Sequence, residues 1–242
     1  MISSRKTAIV TGASRGIGAE IVKGFLARDY NVCANSRSVT ESSEIAPSDR
    51  VALVDGDIGE VAVAAKVVDT TLSRFKSIDV LVNSAGVFVT KPFIDYSQAD
   101  LELLLSTNVE GFLYFTQLSV RQMLEQPSRG SIVTITAALA SNPIRGVTAA
   151  LPMLTKGGLE TITLHLAMEY AKSGIRVNAV APGAVYTALH QATPREEMES
   201  LSPMGRPSTV QDIADAVMYL TNAPTITGNI LYVDGGAHCG RW

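Results

Sequence analysis

Short apolar runs bounded by turn residues alternate along this chain with longer stretches in which apolar residues recur every three to four positions. The runs Thr7–Thr11, Asn31–Asn35, Val51–Val54, Val80–Asn83, Ser131–Thr136, Arg176–Val180 and Ile230–Val233 predict seven strands. The stretches Ile17–Ala27, Val61–Phe75, Ala99–Glu125, Leu154–Ala171 and Val210–Leu220 predict the helices between them. Such strict alternation implies right-handed crossovers between parallel strands, and therefore an α/β fold whose sheet is covered on both faces. One crossover departs from the pattern. Ser38–Arg50 offers Ser, Thr and Pro47 instead of a helical face, which predicts a loop or a single turn.

Length and composition narrow this picture. A chain of 242 residues, 46% of them hydrophobic, suits one large domain over residues 1–242 better than two small ones. The net charge is −3, with 20 basic residues scattered among 23 acidic ones, so no basic face is expected to neutralise a phosphate backbone and nucleic acid is not an expected partner. The two cysteines, Cys33 and Cys239, lie far apart and lack the spacing of a metal site; both are expected to be free thiols in a reducing compartment. The N-terminus lacks the regions of a signal peptide, and no apolar stretch reaches the roughly 18 residues of a membrane helix. These features predict a cytoplasmic protein with no membrane partner and no metal.

The candidate chemistry begins at Thr11-Gly-Ala-Ser-Arg-Gly-Ile-Gly18, which follows the first strand and opens the first helix. Glycines in that context let a backbone approach a pyrophosphate, while the free N–H groups and dipole of the helix favour the anion. Gly12, Ser14, Arg15, Gly16, Ile17 and Gly18 are thus candidate dinucleotide-binding residues; a ligand-free glycine turn is the bland alternative. The spacing is Gly-x3-Gly-x-Gly, distinct from the Gly-x-Gly-x-x-Gly of other dinucleotide folds. With it, the chain resembles the short-chain dehydrogenase/reductase family from about Lys6 to the C-terminus. Asn83-Ser-Ala-Gly86 is similar to that family's Asn-Asn-Ala-Gly, with Ser84 a mild departure. Asn108 in Ser-Thr-Asn-Val-Glu-Gly111 matches its helix-embedded asparagine, and Lys156 in Thr-Lys-Gly-Gly-Leu159 its active-site lysine. Arg176-Val-Asn-Ala-Val-Ala-Pro-Gly183, followed by Val185 and Thr187, matches the segment that holds the nicotinamide end. Gly205-Arg206, Asp212-Ile-Ala214, Thr227-Gly228 and Val233-Asp-Gly-Gly236 match the C-terminal pattern.

The resemblance implies a Rossmann-like, doubly wound, seven-stranded parallel sheet and a nicotinamide dinucleotide. It also implies that Asn83, Ala85, Gly86, Lys156, Pro182, Gly183, Val185 and Thr187 touch that cofactor, and that Asn108 and Lys156 belong to the catalytic relay. Without their neighbours, Asn108 would read as a solvated helix residue and Lys156 as surface charge. A homotetramer or dimer built on Ala99–Glu125 and Leu154–Ala171 is implied as well. Surplus apolar residues there point the same way: Phe112, Tyr114 and Phe115 on the first, and Leu164, Leu166 and Met168 on the second.

Two family positions fail. Pro152 stands where the family has the tyrosine of Tyr-x-x-x-Lys, and Ala137 or Ala138 where it has a serine. In the family the tyrosine donates the proton and the serine bonds the substrate oxygen. A positioned general acid is worth roughly 10²–10⁴ in rate, and one oxyanion donor about 2.7–4 kcal/mol. Proline itself is tolerated in the first turn of a helix, so the change need not disturb the fold. The nearest remaining hydroxyl is Thr136. His190, three residues after Thr187, is the first candidate for a replacement proton donor, with a solvated loop histidine as its bland reading. His165 reads as a packing or interface residue and His238 as structural.

The second strand ends Asn35-Ser36-Arg37 with no acidic residue to hold a ribose 2′-hydroxyl. Arg37, with Ser36 beside it and Arg15 in the glycine turn, points to the 2′-phosphate of NADP(H) in preference to NAD(H). Asp57-Ile58 resembles the family's adenine-edge pair. The reading is an NADP(H)-dependent oxidoreductase with a non-standard active site, acting on a small molecule such as a quinone or iminium. Its alternative is a catalytically silent NADP(H)-binding sensor or partner subunit. Tyr186, Leu189, His190 and Met198 are the expected substrate-lining residues.

Overall fold

The computed structural model describes residues 5–187 and 193–240. The strands are β1 (Thr7–Thr11), β2 (Asn31–Ser36), β3 (Val51–Asp55), β4 (Val80–Asn83), β5 (Gly130–Ile135), β6 (Ile175–Pro182) and β7 (Ile230–Val233). All pair in parallel, in the order β3-β2-β1-β4-β5-β6-β7. The helices are α1 (Gly16–Ala27), α2 (Val61–Phe75), α3 (Gln98–Leu104), α4 (Gly111–Glu125), α5 (Ala150–Tyr170), α6 (Arg195–Ser200) and α7 (Val210–Asn222).

The apolar runs form central strands because both faces of the sheet are covered: every position of β1 and β4 is buried. Alternation along the strands then feeds two cores. Ala8, Val10, Val82 and Val133 pack beneath α1 and α7 through Ile21, Phe25, Val217 and Leu220. Ile9, Leu81, Ile132 and Val177 face Val67, Phe115 and Met123 of α2 and α4. Ser97 with Asp100, and Thr209 with Asp212, form reciprocal caps that start α3 and α7.

Three departures from the sequence expectations have physical causes. Ala99–Glu125 is helical throughout but not uniformly α: between α3 and α4 it widens into a π-helical turn, Leu105–Glu110, which carries the buried Asn108. Apolar spacing does not resolve the wider turn, and such turns accompany functional sites. Helix α5 starts four residues before Leu154, since Pro152 is accommodated in its first turn. Phe112 and Phe115 are buried in the chain's own core; the apolar side chains left exposed on α4 and α5 include Leu113, Leu154, Leu164 and Met168. The Ser38–Arg50 crossover holds a single 3-10 turn, Val39–Glu41, as its composition predicts. Among the described residues no helix is long and apolar enough to cross a membrane.

Connections from β1 run toward β2 and β3, whereas those from β4 run toward β5, β6 and β7 on the other side. The direction reverses between β1 and β4, and in open α/β sheets ligands bind outside the carboxyl ends of the strands at that crevice. Thr11, Ser36, Asn83, Ile135 and Pro182 end their strands along this one edge.

Candidate active site

The glycine turn forms one wall of the crevice with backbone alone. Gly12 has φ +65°, and a Cβ there would come within 2.7 Å of the Ala85 Cα. A Cβ on Gly18 would lie 2.2 Å from the Gly12 carbonyl oxygen. Gly16, at φ +59°, opens α1 opposite Thr187, whose side chain would be 3.9 Å from an added Cβ. Only glycine permits the approaches at positions 12 and 18, and the positive φ of Gly16 favours glycine there too; the first N–H groups of α1 at this turn have no partner within the helix. Thr11 Oγ1 accepts from the backbone N–H groups of Ser84 and Ala85, both at 3.1 Å, which ties the turn to the Asn83–Gly86 segment. Asn83 in turn donates to Thr116 Oγ1 at 3.1 Å, and Ser42 donates to the Ser14 carbonyl at 2.6 Å.

At the end of β2, the Ser36 hydroxyl is buried without a hydrogen-bond partner. Arg15 and Arg37 beside it are exposed and have no polar partner among the described residues. A buried orphan hydroxyl, two uncommitted guanidinium groups and a backbone cradle at a helix N-terminus fit the phosphate-bearing end of a dinucleotide. Asn35 donates to the Val54 and Gly56 carbonyls, at 2.9 and 3.3 Å, and so fixes the start of the Asp57 loop. Asp57 Oδ1 accepts from Gly59 N–H at 2.9 Å. Ile58 is buried against Gly111, where a Cβ would be only 2.4 Å from its Cδ1.

Deeper in the crevice, Asn108 makes three of its four possible amide hydrogen bonds within the protein, both N–H donors included. Its Oδ1 accepts from Val87 N–H at 2.9 Å, and its Nδ2 donates to the Val87 carbonyl at 3.1 Å and to Thr155 Oγ1 at 3.0 Å. The residue therefore fastens the segment after β4 to α5. Lys156 is buried, and its Nζ donates to the Ile135 carbonyl at 2.7 Å. Burial pushes its pKa down to about 8. A Cβ on Gly86 would come 3.0 Å from that Nζ and 3.3 Å from Asn108 Oδ1, so Gly86 is the residue that leaves the ammonium its room.

Pro152, Lys156 and Glu160 follow one another at four-residue intervals along α5 and share a face, all three buried. The sequence reading did not single out Glu160. Its carboxylate accepts from Thr136 Oγ1 at 3.1 Å and from Ser141 Oγ at 2.9 Å, and burial pushes its pKa up. Thr136, the nearest hydroxyl that the sequence leaves to the site, is thus buried against Glu160 and the Val180 carbonyl. Ala137 is half-buried and Ala138 buried, where β5 passes into a 3-10 turn, Ala138–Ala140.

On the opposite wall, Pro182 ends β6 in register with Val233, and Gly183 N–H donates to the Val233 carbonyl at 3.1 Å. Val185 is buried and pairs with Ser208. Tyr186 is exposed, whereas Met198 on α6 is fully buried and does not face solvent. His190 and Leu189 lie outside the described residues. His165 is exposed on α5. Also missed from sequence was the pairing of Asp234 with His238, 3.0 Å apart, in the turn after β7; the only signal was their four-residue spacing.

Residues 12–238 match the family model described as enoyl-(acyl carrier protein) reductase. The chain is 36% identical over 244 residues to a tropinone reductase homologue of Arabidopsis thaliana, covering 95% of this chain and 92% of that protein. Among solved structures, ElxO with NADP bound superposes with a TM-score of 0.88 at 26% identity, covering 98% of this chain and 100% of that one. The 3-ketoacyl-(acyl-carrier-protein) reductase of Brucella melitensis complexed with NADH superposes with a TM-score of 0.88 at 29% identity, over 96% of this chain and 98% of that one.

Proposed function

The chain belongs to the short-chain dehydrogenase/reductase family, and from that premise we propose that it is an NADP(H)-dependent oxidoreductase acting on a small molecule through a non-standard active site. The observation that carries the reading is the buried Lys156 ammonium, which keeps its place beside Gly86 although its helix neighbour one turn earlier is Pro152 and not a tyrosine. A buried cation without a paired carboxylate is costly. Its retention favours a working site.

When bound, a nicotinamide dinucleotide supplies a hydride donor or acceptor. The chain's own residues supply the rest. Gly12, Ser14, Arg15, Gly16, Ile17 and Gly18 would hold the pyrophosphate, Ser36 and Arg37 the 2′-phosphate, and Asp57 and Ile58 the adenine edge. Asn83, Ala85, Gly86, Pro182, Gly183, Val185 and Thr187 would line the remainder. Lys156 holds a proton near neutral pH and presents N–H donors beyond the one given to Ile135. Asn108 positions it by fixing Thr155 and the Val87 segment. Thr136 is committed to Glu160, so the donor proposed for a substrate oxygen is His190, with Lys156 as the proton reservoir behind it.

Arg37 and Arg15 can form charge-assisted hydrogen bonds to a 2′-phosphate. NADPH is expected to bind in clear preference to NADH, and Arg37→Asp to lower NADPH affinity roughly 10- to 100-fold while sparing NADH. Titration by intrinsic fluorescence checks this. Equal affinities in the wild type, or an unchanged preference in the variant, would remove the assignment.

The exposed Leu113, Leu154, Leu164 and Met168 on α4 and α5 support a homo-oligomer, a dimer or tetramer, built on those helices. Light scattering at micromolar concentration is expected to return a multiple of the 25.7 kDa chain mass. A monomer would contradict it. The second reading, a silent NADP(H)-binding sensor or partner subunit, is favoured by the joint presence of Pro152 and Ala137. It takes over if NADPH binds and no ketone, quinone or imine turns over.

A further inference from the structure

Outside the groups used above, the turn after β7 brings together a thiol, an imidazole and a carboxylate. Asp234 is buried at the end of β7, and its two oxygens accept from the backbone N–H groups of Gly236 at 3.0 Å and His238 at 2.8 Å. The same oxygens both lie 3.0 Å from His238 Nδ1. An ionised carboxylate is an acceptor only, so Nδ1 carries the hydrogen and, in the neutral ring, Nε2 is left with its lone pair. Nε2 faces Cys239 Sγ at 3.5 Å. The ring is held further by stacking on Tyr232, with centroids 4.3 Å apart and planes 15° apart. Carboxylate, oriented imidazole and exposed thiol thus stand in the order that activates a nucleophile. Among the described residues no group of three His, Cys, Asp or Glu side chains is placed to hold a metal ion.

The turn is anchored in the fold while its thiol stays open to solvent. The 3-10 turn Ala237–Cys239 packs against the turn Ala138–Ala140, and a Cβ on Gly183 would lie 2.7 Å from Asp234 Cβ. Cys239 itself is exposed. The other cysteine supplies a contrast within the same chain: Cys33 is fully buried in β2, and burial pushes its thiol up to about 11.

We propose that Cys239, with His238 as general base and Asp234 holding the ring, is a site of thiol–disulfide exchange with low-molecular-weight disulfides. His238 Nε2 takes the proton from the Cys239 thiol as Sγ attacks one sulfur of the disulfide. A new S–S bond forms at Cys239, the old one breaks, and the departing sulfur leaves as a thiolate that is reprotonated from His238. One disulfide is consumed and another made, so no further oxidant is involved.

The test treats the native full-length protein with oxidised glutathione or an aromatic disulfide at pH 7, following adduct formation by intact mass and peptide mapping. One glutathione adduct at Cys239 is expected, with Cys33 unmodified, at a rate at least about 10-fold above that of a free peptide cysteine. Cys239→Ser should remove the adduct. His238→Gln should slow it about 10-fold or more at pH 7, with the deficit closing at pH 9.5, where solvent alone ionises an ordinary thiol. That convergence distinguishes a base from a residue that merely shapes the turn. A wild-type rate no greater than that of the free peptide cysteine would overturn the proposal. So would an unchanged rate in His238→Gln at pH 7, or a deficit in that variant that persists at pH 9.5.

Discussion

Replacing Lys156 with methionine is expected to stabilise the apoprotein at neutral pH while removing most of its turnover. The folded protein holds Lys156 at a pKa of about 8 against 10.5 for an ordinary lysine, and burial is the cause. Between those values the unfolded chain keeps a proton that the folded chain has released, so stability rises with pH across that window. The cost of burying the ammonium is therefore complete below about pH 8 and relieved by about 10.5. By linkage it amounts to roughly 3 kcal/mol. Against it stands the hydrogen bond to Ile135, whose loss costs about 1 kcal/mol. The net gain of about 2 kcal/mol at pH 7 should raise Tm by about 4–8 °C. Thermal denaturation of both proteins at pH 7 and 10.5 measures it. The gap should shrink at the higher pH; a variant no more stable at pH 7, or a gap that widens, would contradict the origin in burial. Turnover with NADPH and any accepted substrate should fall roughly 10²–10⁴-fold. Opposite signs for stability and activity mark a residue kept for function at the expense of the fold.

The separation between what was legible in the sequence and what was not follows from the kind of signal each feature leaves. Strands β1 and β4 were legible because burial on both faces makes their apolar runs continuous. The glycine turn was legible because its close approaches, such as Gly18 on the Gly12 carbonyl, exclude every other residue type. The π-turn around Asn108 was hidden, since one extra residue in a helical turn barely alters apolar spacing and the ends of α3 and α4 both keep the usual period. Glu160 was hidden for a different reason: a carboxylate one turn from a lysine reads as a solvated pair, and only tertiary packing shows it buried on the Thr136 and Ser141 hydroxyls. Phe112 and Phe115 read as surplus apolar surface because sequence does not tell how much of α4 the core beneath it will take. Asp234 and His238 left only a spacing, which a glycine-rich tail makes easy to pass over.

Wild-type protein is expected to reduce simple ketones very slowly, and the double variant Ala137→Ser with Pro152→Tyr to gain that activity by roughly 10²–10⁴-fold. Position 152 lies one turn before Lys156 on the same face of α5, so a tyrosine there would stand beside the buried ammonium, which favours a phenolate and so eases proton donation. Position 137 is half-buried with extended backbone at the end of β5, where a serine hydroxyl needs no unusual conformation. The loop carrying it is already fixed, through Thr136 and Ser141, to Glu160 on α5. The two hydroxyls would thus be added beside Asn108 and Lys156, which are already fixed to Thr155 Oγ1 and to the Ile135 carbonyl. Rates are measured with NADPH and a panel of ketones, quinones and imines for the wild type, the double variant and His190→Ala. Rapid ketone reduction by the wild type would overturn the reading of a missing acid. Full quinone or imine activity in His190→Ala would exclude that residue as donor. A folded double variant that binds NADPH like the wild type yet gains no ketone activity would show that Pro152 and Ala137 are not what limits the chemistry.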